Sequence, residues 1–323
     1  MSVRVLFFGT PAFAVPSLRR VAGAGHVGAG VVTQPDRPRG RGRHVAAPPV
    51  KTEAIARGLT VLQPTRFDAG ALAEMSHCGA DLAVVAAYGR ILPQAVLDVC
   101  PLGAINVHAS LLPRWRGAAP VQRAILAGDA VTGVTIMRVV RALDAGPMLA
   151  RVDTPIAPDE TSEALEARLS TMGADLLVHV IESLTHGALP EVAQDEALVT
   201  YARRIERSDS RIDWARPALA IHNQIRGLQP WPLAGAMLGD RRVMFLRAEV
   251  AEPDLLADGD AAAEPGTILE VEHDALRVAA RPGRVRILEL QEAGRAALSV
   301  RAYLNGRRVS AGDRFTPLPV ATS

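Results

Sequence analysis

Residues 3–33 read VRVLFFGTPAFAVPSLRRVAGAGHVGAGVVT, and this stretch decides the fold class. It contains a β-branched and apolar run over Val3–Phe8, a helical pattern over Phe13–Ala22 and a second strand-like run over Val27–Thr33. A strand, a helix and a strand in this order are typical of a βαβ unit, in which the two strands lie parallel. The stretch therefore predicts an α/β domain built on a mainly parallel sheet.

The same alternation continues through the first half of the chain. Further strands are predicted at Leu82–Ala87, Ala104–His108 and Val134–Val140, with helices near Val50–Arg57 and Pro120–Leu126. In a doubly wound sheet, ligands bind outside the carboxyl ends of the strands. The segments that follow these three strands are therefore the expected places for chemistry.

The turn after the first strand, Gly9–Phe13, reads GTPAF and lacks the G-x-G-x-x-G spacing. That spacing allows a backbone to approach a pyrophosphate at a helix N-terminus. We therefore expect no nicotinamide or flavin cofactor.

The pattern changes in the second half. The amphipathic segment Thr161–Leu184 predicts a long helix with Thr161 as N-cap, and the pattern then breaks around Gly187–Asp195. Beyond it we predict a short helix over Pro217–Arg226, and strands at Arg242–Leu246, Leu276–Ala279 and Val285–Leu290. The Ala/Asp/Glu-rich stretch 251–265 is expected to be a loop, and the second domain to be small and mostly β.

Composition limits the class of protein. A chain of 323 residues fits about two domains, and its 49% hydrophobic and 22% charged residues are ordinary for a globular protein. Cys78 and Cys100 have neither a CxxC spacing nor a disulfide-rich context, so no metal site and no secretion are expected. Because no apolar run is long enough for a signal peptide or a membrane span, we expect a cytoplasmic protein without a membrane partner.

The segment Asn106–Gly117, NVHASLLPRWRG, places an asparagine and a histidine two residues apart at the end of a strand. Residues i and i+2 of a strand point to the same face, so Asn106 and His108 project together. An imidazole exchanges protons near neutral pH, and an amide N–H can stabilise an oxyanion. The pair indicates a catalytic centre, although its spacing also fits a surface loop with an incidental histidine.

Asp144 is the third candidate, in the turn-forming sequence Leu143–Gly146 after the strand predicted at Val134–Val140. If that strand lies beside the strand of His108, the carboxylate can reach the imidazole, orient it and stabilise its cationic form. A turn-capping aspartate is the alternative that remains open. No serine-nucleophile elbow, HExxH or P-loop sequence competes with this trio.

A basic segment follows the second strand. Residues 33–44 read TQPDRPRGRGRH, in which one aspartate stands against a histidine and four arginines, Arg37, Arg39, Arg41 and Arg43. Guanidinium groups bind phosphates bidentately, and exposed positive charge steers polyanions. We expect an extended, mobile loop that binds phosphates, with a solvated loop that has no partner as the alternative.

Together these residues resemble the methionyl-tRNA formyltransferase family over nearly the whole chain. The resemblance is carried by Asn106–Gly117 with the following AAPVQRAI, and by Gly9–Pro11, Thr33–Pro38, Tyr88–Pro93, Leu143–Gly146, Tyr201–Ala202, Arg211–Trp214 and Pro230–Pro232. The Asn-x-His, Ser-Leu-Leu-Pro and Asp-x-Gly elements are shared with formyltransferases of glycinamide ribonucleotide and amino sugars. The basic segment, Arg114–Arg116 and the second domain distinguish this chain from those relatives.

The resemblance implies a Rossmann-like formyltransferase domain at residues 1–190, a linker at 191–208 and an open β-barrel, OB-like, tRNA-binding domain at 209–318. It implies 10-formyltetrahydrofolate as formyl donor, the α-amine of methionyl initiator tRNA as acceptor, and a monomer. Asn106, His108 and Asp144 correspond to the catalytic residues. Folate would contact Ser110, Leu111, Leu112 and Pro113, and the main chain of Arg90, Ile91 and Leu92.

Arg41 corresponds to the family position that reaches the acceptor stem, and Arg37, Arg39 and Arg43 are expected to bind tRNA beside it. Arg114–Arg116 is expected to point toward tRNA as well. Four sites depart from the family pattern: Ala12, Arg43–His44, Val140–Ala142 and Ser208–Ser210. Two other functions stay open, namely formyl transfer to an amino sugar or nucleotide amine, and RNA binding without catalysis on a degenerate enzyme scaffold.

Overall fold

The computed structural model of the chain describes residues 2–39, 44–187, 189–250 and 263–319. Its contacts define two compact units, which we call the N-terminal and C-terminal units. The N-terminal unit comprises Met1–Pro120, Val131–Thr154 and Glu166–Ala202, and the C-terminal unit comprises Val121–Ala130, Pro155–Leu165 and Arg203–Ser323. The continuous domain bounds at residues 190 and 209 stay a prediction.

The N-terminal unit contains a doubly wound sheet. Its strands are β1 (Arg4–Gly9), β2 (Val27–Val32), β3 (Arg37–Arg39), β4 (His44–Ala46), β5 (Val61–Leu62), β6 (Leu82–Ala86), β7 (Ala104–His108), β8 (Arg116–Gly117), β9 (Val131–Arg138), β10 (Met148–Pro155) and β11 (Tyr201–Ala202). Within the described residues, seven of them form one sheet in the order β10-β9-β7-β6-β1-β2-β5. β3 pairs with β4, and β8 pairs with β11.

The predicted parallel sheet is confirmed from β5 to β7, because the pairs β2–β5, β1–β2, β1–β6 and β6–β7 are all parallel. β9 runs antiparallel to β7, with Arg138 opposite Ile105 and Thr135 opposite His108. The carboxyl end of β9 therefore lies at the opposite edge from His108. The rule for parallel strands therefore does not apply to β9, yet the segment after β9 reaches His108, because Asp144 Oδ2 lies 3.7 Å from His108 Nδ1.

Helices cover the faces of this sheet as the sequence pattern requires. They are α1 (Val15–Gly23), α2 (Pro49–Ala56), α3 (Ala69–His77), α4 (Gln94–Leu97) and α6 (Ser162–His186), whereas α5 (Pro120–Ala127) belongs to the C-terminal unit from Val121 onward. A 3₁₀ turn over Ala12–Ala14 forms the start of the helix predicted from residue 13. The Thr161 Oγ1 accepts from the Ala164 N–H at 3.3 Å, which confirms the predicted N-cap of α6.

Close packing fixes the orientation of β7. A Cβ built on Gly173 of α6 would lie 2.8 Å from Val107 Cγ1, so Val107 faces this helix. On β1, the ring of Phe8 packs against the ring of Tyr88, with the ring centroids 5.5 Å apart. In the described part of the chain, no helix combines the length and the hydropathy needed to cross a membrane.

The C-terminal unit is mostly β, as predicted. Its elements are α7 (Ala218–Gly227), β12 (Ala234–Leu238), β13 (Arg241–Glu249), β14 (Ile268–Val271), β15 (Leu276–Ala279), β16 (Arg284–Glu292), β17 (Ala297–Ser299), α8 (Val300–Gly306) and β18 (Phe315–Pro317). Within the described residues, its sheet has the order β14-β15-β16-β13-β12-β18, with β17 beside β16. Of the stretch 251–265, which we expected to be a loop, residues 251–262 lie outside the described residues.

Curvature and an aromatic core give this sheet its open-barrel form. The register of β13 against β16 shifts between Phe245 and Arg247, and such bulges bend a strand. The rings of Trp214, Phe245 and Phe315 pack together with centroids 5.1–5.7 Å apart. Gly266 adopts φ +89°, and a Cβ there would lie 2.3 Å from the Phe315 carbonyl oxygen. The predicted open, OB-like sheet is confirmed.

Candidate active site

Asn106 and His108 lie on β7 at positions i and i+2, so their side chains project from one face. Val107 projects from the other face, against Gly173 of α6. His108 is buried, with 5% of its surface exposed, and Asn106 is half-buried. The strand therefore presents an amide and an imidazole side by side, as predicted.

The imidazole of His108 has two different neighbours. Nε2 lies 2.9 Å from the carbonyl oxygen of Trp115, and Nδ1 lies 3.7 Å from Asp144 Oδ2. A carbonyl oxygen can only accept, so Nε2 carries a hydrogen and donates it to Trp115. In the neutral ring, the lone pair is then on Nδ1. Nδ1 is therefore the nitrogen that can take up a proton, and it does so facing a carboxylate.

Asp144 lies in the turn between β9 and β10 with φ +47°, a conformation that aspartate tolerates better than most residues. Its Oδ2 accepts from the Gly117 N–H at 2.9 Å. The same oxygen is the one that faces His108. Asp144 is therefore more than a turn-capping aspartate, because its carboxylate accepts a hydrogen bond from the loop of Gly117 and faces the imidazole of His108. β9 does lie beside β7, as the prediction required, although in the antiparallel direction.

The turn after β7 is held by internal hydrogen bonds. Ser110 Oγ donates to the Arg114 carbonyl oxygen at 2.6 Å. Thr135 Oγ1 donates to the Ser110 carbonyl oxygen at 2.7 Å and accepts from the Leu112 N–H at 3.2 Å. Ser110 and Leu112 are buried, whereas Leu111 and Pro113 are half-buried. Of the four predicted folate contacts in this turn, Leu111 and Pro113 have side chains that a ligand can reach without rearrangement.

A cavity of about 600 Å³ opens at the carboxyl ends of the strands. It is lined by residues that follow β1, β2, β5 and β6, namely Thr10, Pro11, Gln34, Pro35, Arg37, Thr65, Ala87, Tyr88, Gly89 and Arg90. This volume is within the usual range for small-molecule sites. The cavity brings together Arg90, predicted to contact folate, and Arg37, predicted to contact tRNA.

The predicted folate residues after β6 have different environments. Arg90 stacks over the Phe67 ring at 4.8 Å and donates to the Pro64 carbonyl oxygen at 3.1 Å. Ile91 is 78% exposed, and Leu92 packs in the core beneath the sheet end. Thr10 Oγ1 donates to the Tyr88 carbonyl oxygen at 3.0 Å, which joins the turns after β1 and β6. Burial raises the pKa of the Tyr88 phenol, so this side chain stays neutral.

The basic segment is a hairpin where it is described, because β3 pairs antiparallel with β4. The prediction of a loop was therefore wrong for residues 37–39 and 44–46, which form a two-stranded ladder, whereas the predicted extended backbone is confirmed there. Arg37 is exposed, and its Nη2 lies 3.4 Å from Gln34 Oε1. The side chain of Arg39 and the whole of Arg41 and Arg43 lie outside the described residues.

Asp36 is the one acidic residue of this segment. Hydrogen bonds from Lys51 and Gln63 hold the pKa of its carboxyl group below the ordinary value. Lys51 Nζ lies 2.7 Å from Asp36 Oδ2, and Gln63 Nε2 lies 2.8 Å from Oδ1. The negative charge of Asp36 is therefore paired with Lys51, and its carboxylate does not neutralise Arg37.

Arg116 was expected to point toward tRNA, and this expectation was wrong. Its side chain is 3% exposed and binds inside the N-terminal unit, with Nε donating to Gln194 Oε1 at 2.9 Å and Nη2 donating to Glu196 Oε1 at 2.8 Å. Arg114 is exposed and lies over the Trp115 ring at 5.0 Å. A buried arginine needs internal acceptors, and no feature of the sequence indicated that Gln194 and Glu196 would supply them.

The described residues contain no group of three or more His, Cys, Asp or Glu side chains arranged to hold a metal ion. Asn106 can donate a hydrogen bond, His108 can exchange a proton, and Asp144 can stabilise the positive charge that results. An acyl-type transfer to an amine needs these three properties.

Comparison with known proteins identifies the class and then the family. Residues 1–181 match the family model described as formyl transferase, and residues 204–308 match that of the formyl transferase C-terminal domain. Fold and site thus define a two-domain formyl transferase. Methionyl-tRNA formyltransferases of Solibacter usitatus and Ruegeria pomeroyi are each 46% identical over 314 residues, which is 97% of this chain and 98% and 100% of theirs. The chain belongs to the methionyl-tRNA formyltransferase family.

Solved structures share the fold at lower identity. An N-formyltransferase from Helicobacter canadensis is 16% identical with a TM-score of 0.67, over 90% of this chain and 99% of that chain. HypX from Aquifex aeolicus is 17% identical with a TM-score of 0.64, over 95% of this chain and 47% of that chain. The present chain thus spans about half the length of HypX. At such identities the likeness shows the fold alone.

Proposed function

We propose that this chain transfers the formyl group of 10-formyltetrahydrofolate to the α-amine of methionyl initiator tRNA. One observation carries the chemical part of the proposal. His108 holds its Nε2 hydrogen on the Trp115 carbonyl oxygen and turns Nδ1 toward Asp144, so one nitrogen is free for proton exchange. The choice of methionyl-tRNA as acceptor is supported by the relatives of that name along nearly the full chain.

The first role of the site is to remove a proton from the attacking amine. An α-amine is nucleophilic only when neutral, and it must lose a further proton after it bonds to the formyl carbon. His108 Nδ1 accepts this proton, either directly or through a water molecule. The carboxylate of Asp144 stabilises the imidazolium, since it lies 3.7 Å from Nδ1 with its orientation fixed by the Gly117 N–H.

The second role is to stabilise the negative charge on the formyl oxygen. The side-chain amide of Asn106 projects from the same face of β7 as His108 and supplies an N–H donor there. The imidazolium adds a positive charge beside it. His108 then donates this proton to the departing folate nitrogen, which restores the neutral imidazole.

The folate residues of the proposal are Ser110, Leu111, Leu112 and Pro113, with Arg90, Ile91 and Leu92. Two observations fit a flat, partly apolar ligand: Ile91 exposes 78% of its surface, and the hydrogen-bonded turn that carries Leu111 and Pro113 leaves both residues half-buried. The solved HypX structure contains tetrahydrofolic acid, and that of the Helicobacter canadensis enzyme contains folinic acid. We extend this class of ligand to the present chain.

The tRNA residues of the proposal are Arg37, Arg39, Arg41 and Arg43, together with the C-terminal unit as a second contact. Arg37 supports this role because it is exposed, lines the cavity at the strand ends and has its neighbour Asp36 already paired with Lys51. Positive charge is thus left available for phosphates. The proposal also treats the protein as a monomer that acts in the cytoplasm.

A formylation assay tests the proposal. The protein is given 10-formyltetrahydrofolate and, in parallel, methionyl initiator tRNA, methionyl elongator tRNA and a nucleotide-linked amino sugar. We expect turnover with the initiator tRNA and loss of turnover in His108→Gln. Turnover of the amino sugar, without turnover of either tRNA, would show that the acceptor is an amino sugar and not methionyl-tRNA. Tight tRNA binding without any formyl transfer would show an RNA-binding protein on an enzyme scaffold.

A further inference from the structure

Gln194 makes contacts that the proposed reaction does not yet use. Its side-chain Nε2 donates to the main-chain oxygens of Asp144 and Gly146, both at 2.8 Å. A side-chain amide has two N–H groups, and here both are directed to the same turn. One glutamine therefore bonds to two carbonyl oxygens of this turn, one of which belongs to Asp144 itself.

Arg116 fixes the orientation of this amide. Arg116 Nε donates to Gln194 Oε1 at 2.9 Å, and an arginine offers no acceptor, so the oxygen of Gln194 must face it. The NH₂ group is left to face the turn. Arg116 is itself 3% exposed and is anchored by Glu196 Oε1 at 2.8 Å. The amide of Gln194 thus has one orientation that satisfies all its partners.

The segment that carries Gln194 also contacts the loop around His108. We call residues 192–202 the strap. At one end, Val192 and Met148 exchange main-chain hydrogen bonds of 2.8 and 2.9 Å at the start of β10. Toward the other end, Thr200 Oγ1 accepts from the N–H of Trp115 at 2.9 Å, and Trp115 is the residue whose carbonyl oxygen holds His108. The strap therefore hydrogen-bonds both to the turn that contains Asp144 and to the loop whose Trp115 carbonyl oxygen holds His108.

We propose that Gln194 is a positioning residue for Asp144, which keeps the carboxylate at its distance from His108 Nδ1. The inference rests on the proposed function, because it assigns Gln194 to the same reaction. The two hydrogen bonds from Gln194 hold the main chain of this turn, in which Asp144 has φ +47°, while the Gly117 N–H holds the Asp144 carboxylate. Without the amide, the turn can relax and the carboxylate moves away from the imidazole.

The test is Gln194→Glu. Glutamate keeps an acceptor for Arg116, so the strap stays anchored, but it has no N–H for the carbonyl oxygens of Asp144 and Gly146. We expect kcat to fall about tenfold or more, because small displacements of a catalytic group reduce rates strongly. The KM values for folate and tRNA should stay within about twofold, since no substrate contact is removed.

Gln194→Met and Gln94→Glu complete the set. Methionine keeps the length of the side chain without any donor, and it should reproduce the loss of kcat if Gln194→Glu fails to fold. Gln94 is the control, because it is exposed on α4 of the N-terminal unit and its Nε2 donates to Asp98 Oδ1 at 2.8 Å, a contact that no proposed substrate site uses. This control should retain the kcat of the parent protein. A folded Gln194 variant with the parent kcat overturns the inference.

Combination with Asp144→Asn separates positioning from general structural support. If Gln194 acts through Asp144, adding Gln194→Glu to Asp144→Asn should leave kcat unchanged, since the charge to be positioned is already gone. A merely structural role predicts that the two losses multiply, and that outcome also overturns the inference. Failure of the parent protein to formylate methionyl-tRNA would instead contradict the proposed function itself.

Discussion

The loop around His108 and the basic hairpin both follow strands of the same sheet, yet different forces define them. His108 is buried and Asp144 is half-buried. Hydrogen bonds of 2.9 Å to the main chain of Trp115 and Gly117 fix the orientation of these two side chains. Arg37 is exposed and has one long contact, at 3.4 Å from Gln34. Geometry determines what the first region does, whereas charge determines what the second does. Substitutions should therefore have abrupt effects in one region and graded, salt-dependent effects in the other.

The largest effect is expected for His108→Gln. Glutamine can still donate toward the Trp115 carbonyl oxygen but cannot exchange a proton, so kcat should fall about a hundredfold or more. Steady-state kinetics at two salt concentrations measure the change. The loss should be the same at both, because no phosphate contact is involved. A loss that disappears at one salt concentration would contradict the distinction between the two regions.

Replacing Arg37, Arg39, Arg41 and Arg43 together by alanine should mainly raise the KM for tRNA. We expect a rise of about ten- to a hundredfold at low salt, which shrinks as salt increases, because each phosphate contact releases counterions. The KM for folate should not change. The KM for tRNA and the KM for folate are measured separately at low and high salt. A rise in the KM for tRNA that does not depend on salt would show that these arginines contribute shape and not charge.

Glu292 is a charged residue whose partners are all within the protein, and it contrasts with the exposed Arg37 of the basic segment. Its carboxylate accepts from Arg307 at 3.0 and 3.1 Å and from the Tyr303 hydroxyl at 3.1 Å. The hydrogen bonds from Arg307 lower its pKa from 4.5 to about 2. Glu292→Gln should therefore reduce the free energy of unfolding at pH 7 by on the order of 1–3 kcal/mol, with little effect on tRNA binding.

The pH dependence of this contribution has a definite sign. Because the folded pKa is lowered, the stabilisation is fully present above about pH 4.5 and is lost as the pH falls toward 2. Denaturant unfolding of the C-terminal unit at pH 7 and pH 3 should show a smaller difference between parent and variant at the lower pH. An equal difference at both values would mean that Glu292 does not stabilise through its charge.

The smallest effect is expected for Arg43→Lys. Lysine keeps the charge but loses the guanidinium fork, so a contact by charge alone should keep the KM for tRNA within about twofold. Arg41→Lys in the same assay is the comparison, since Arg41 corresponds to the family position that reaches the acceptor stem. A large loss at Arg43 would show that bidentate geometry matters in the basic segment too.

The sequence was informative where a pattern repeats along the chain. The βαβ alternation, the N-cap at Thr161 and the pairing of Asn106 with His108 on one face all follow from local periodicity. The direction of β9 did not follow, because an antiparallel strand has the same apolar pattern as a parallel one. The burial of Arg116 was equally hidden, since its acceptor Gln194 lies 78 positions away in a segment without periodicity.

The most direct test of the account is the kcat of Asp144→Asn with methionyl initiator tRNA and 10-formyltetrahydrofolate. Asparagine has the same shape and can still accept from the Gly117 N–H, so the turn is retained while the charge that faces His108 is removed. We predict a fall in kcat of about a hundredfold, with both KM values nearly unchanged. A kcat equal to that of the parent protein would contradict the proposal that Asp144 and His108 act together in formyl transfer.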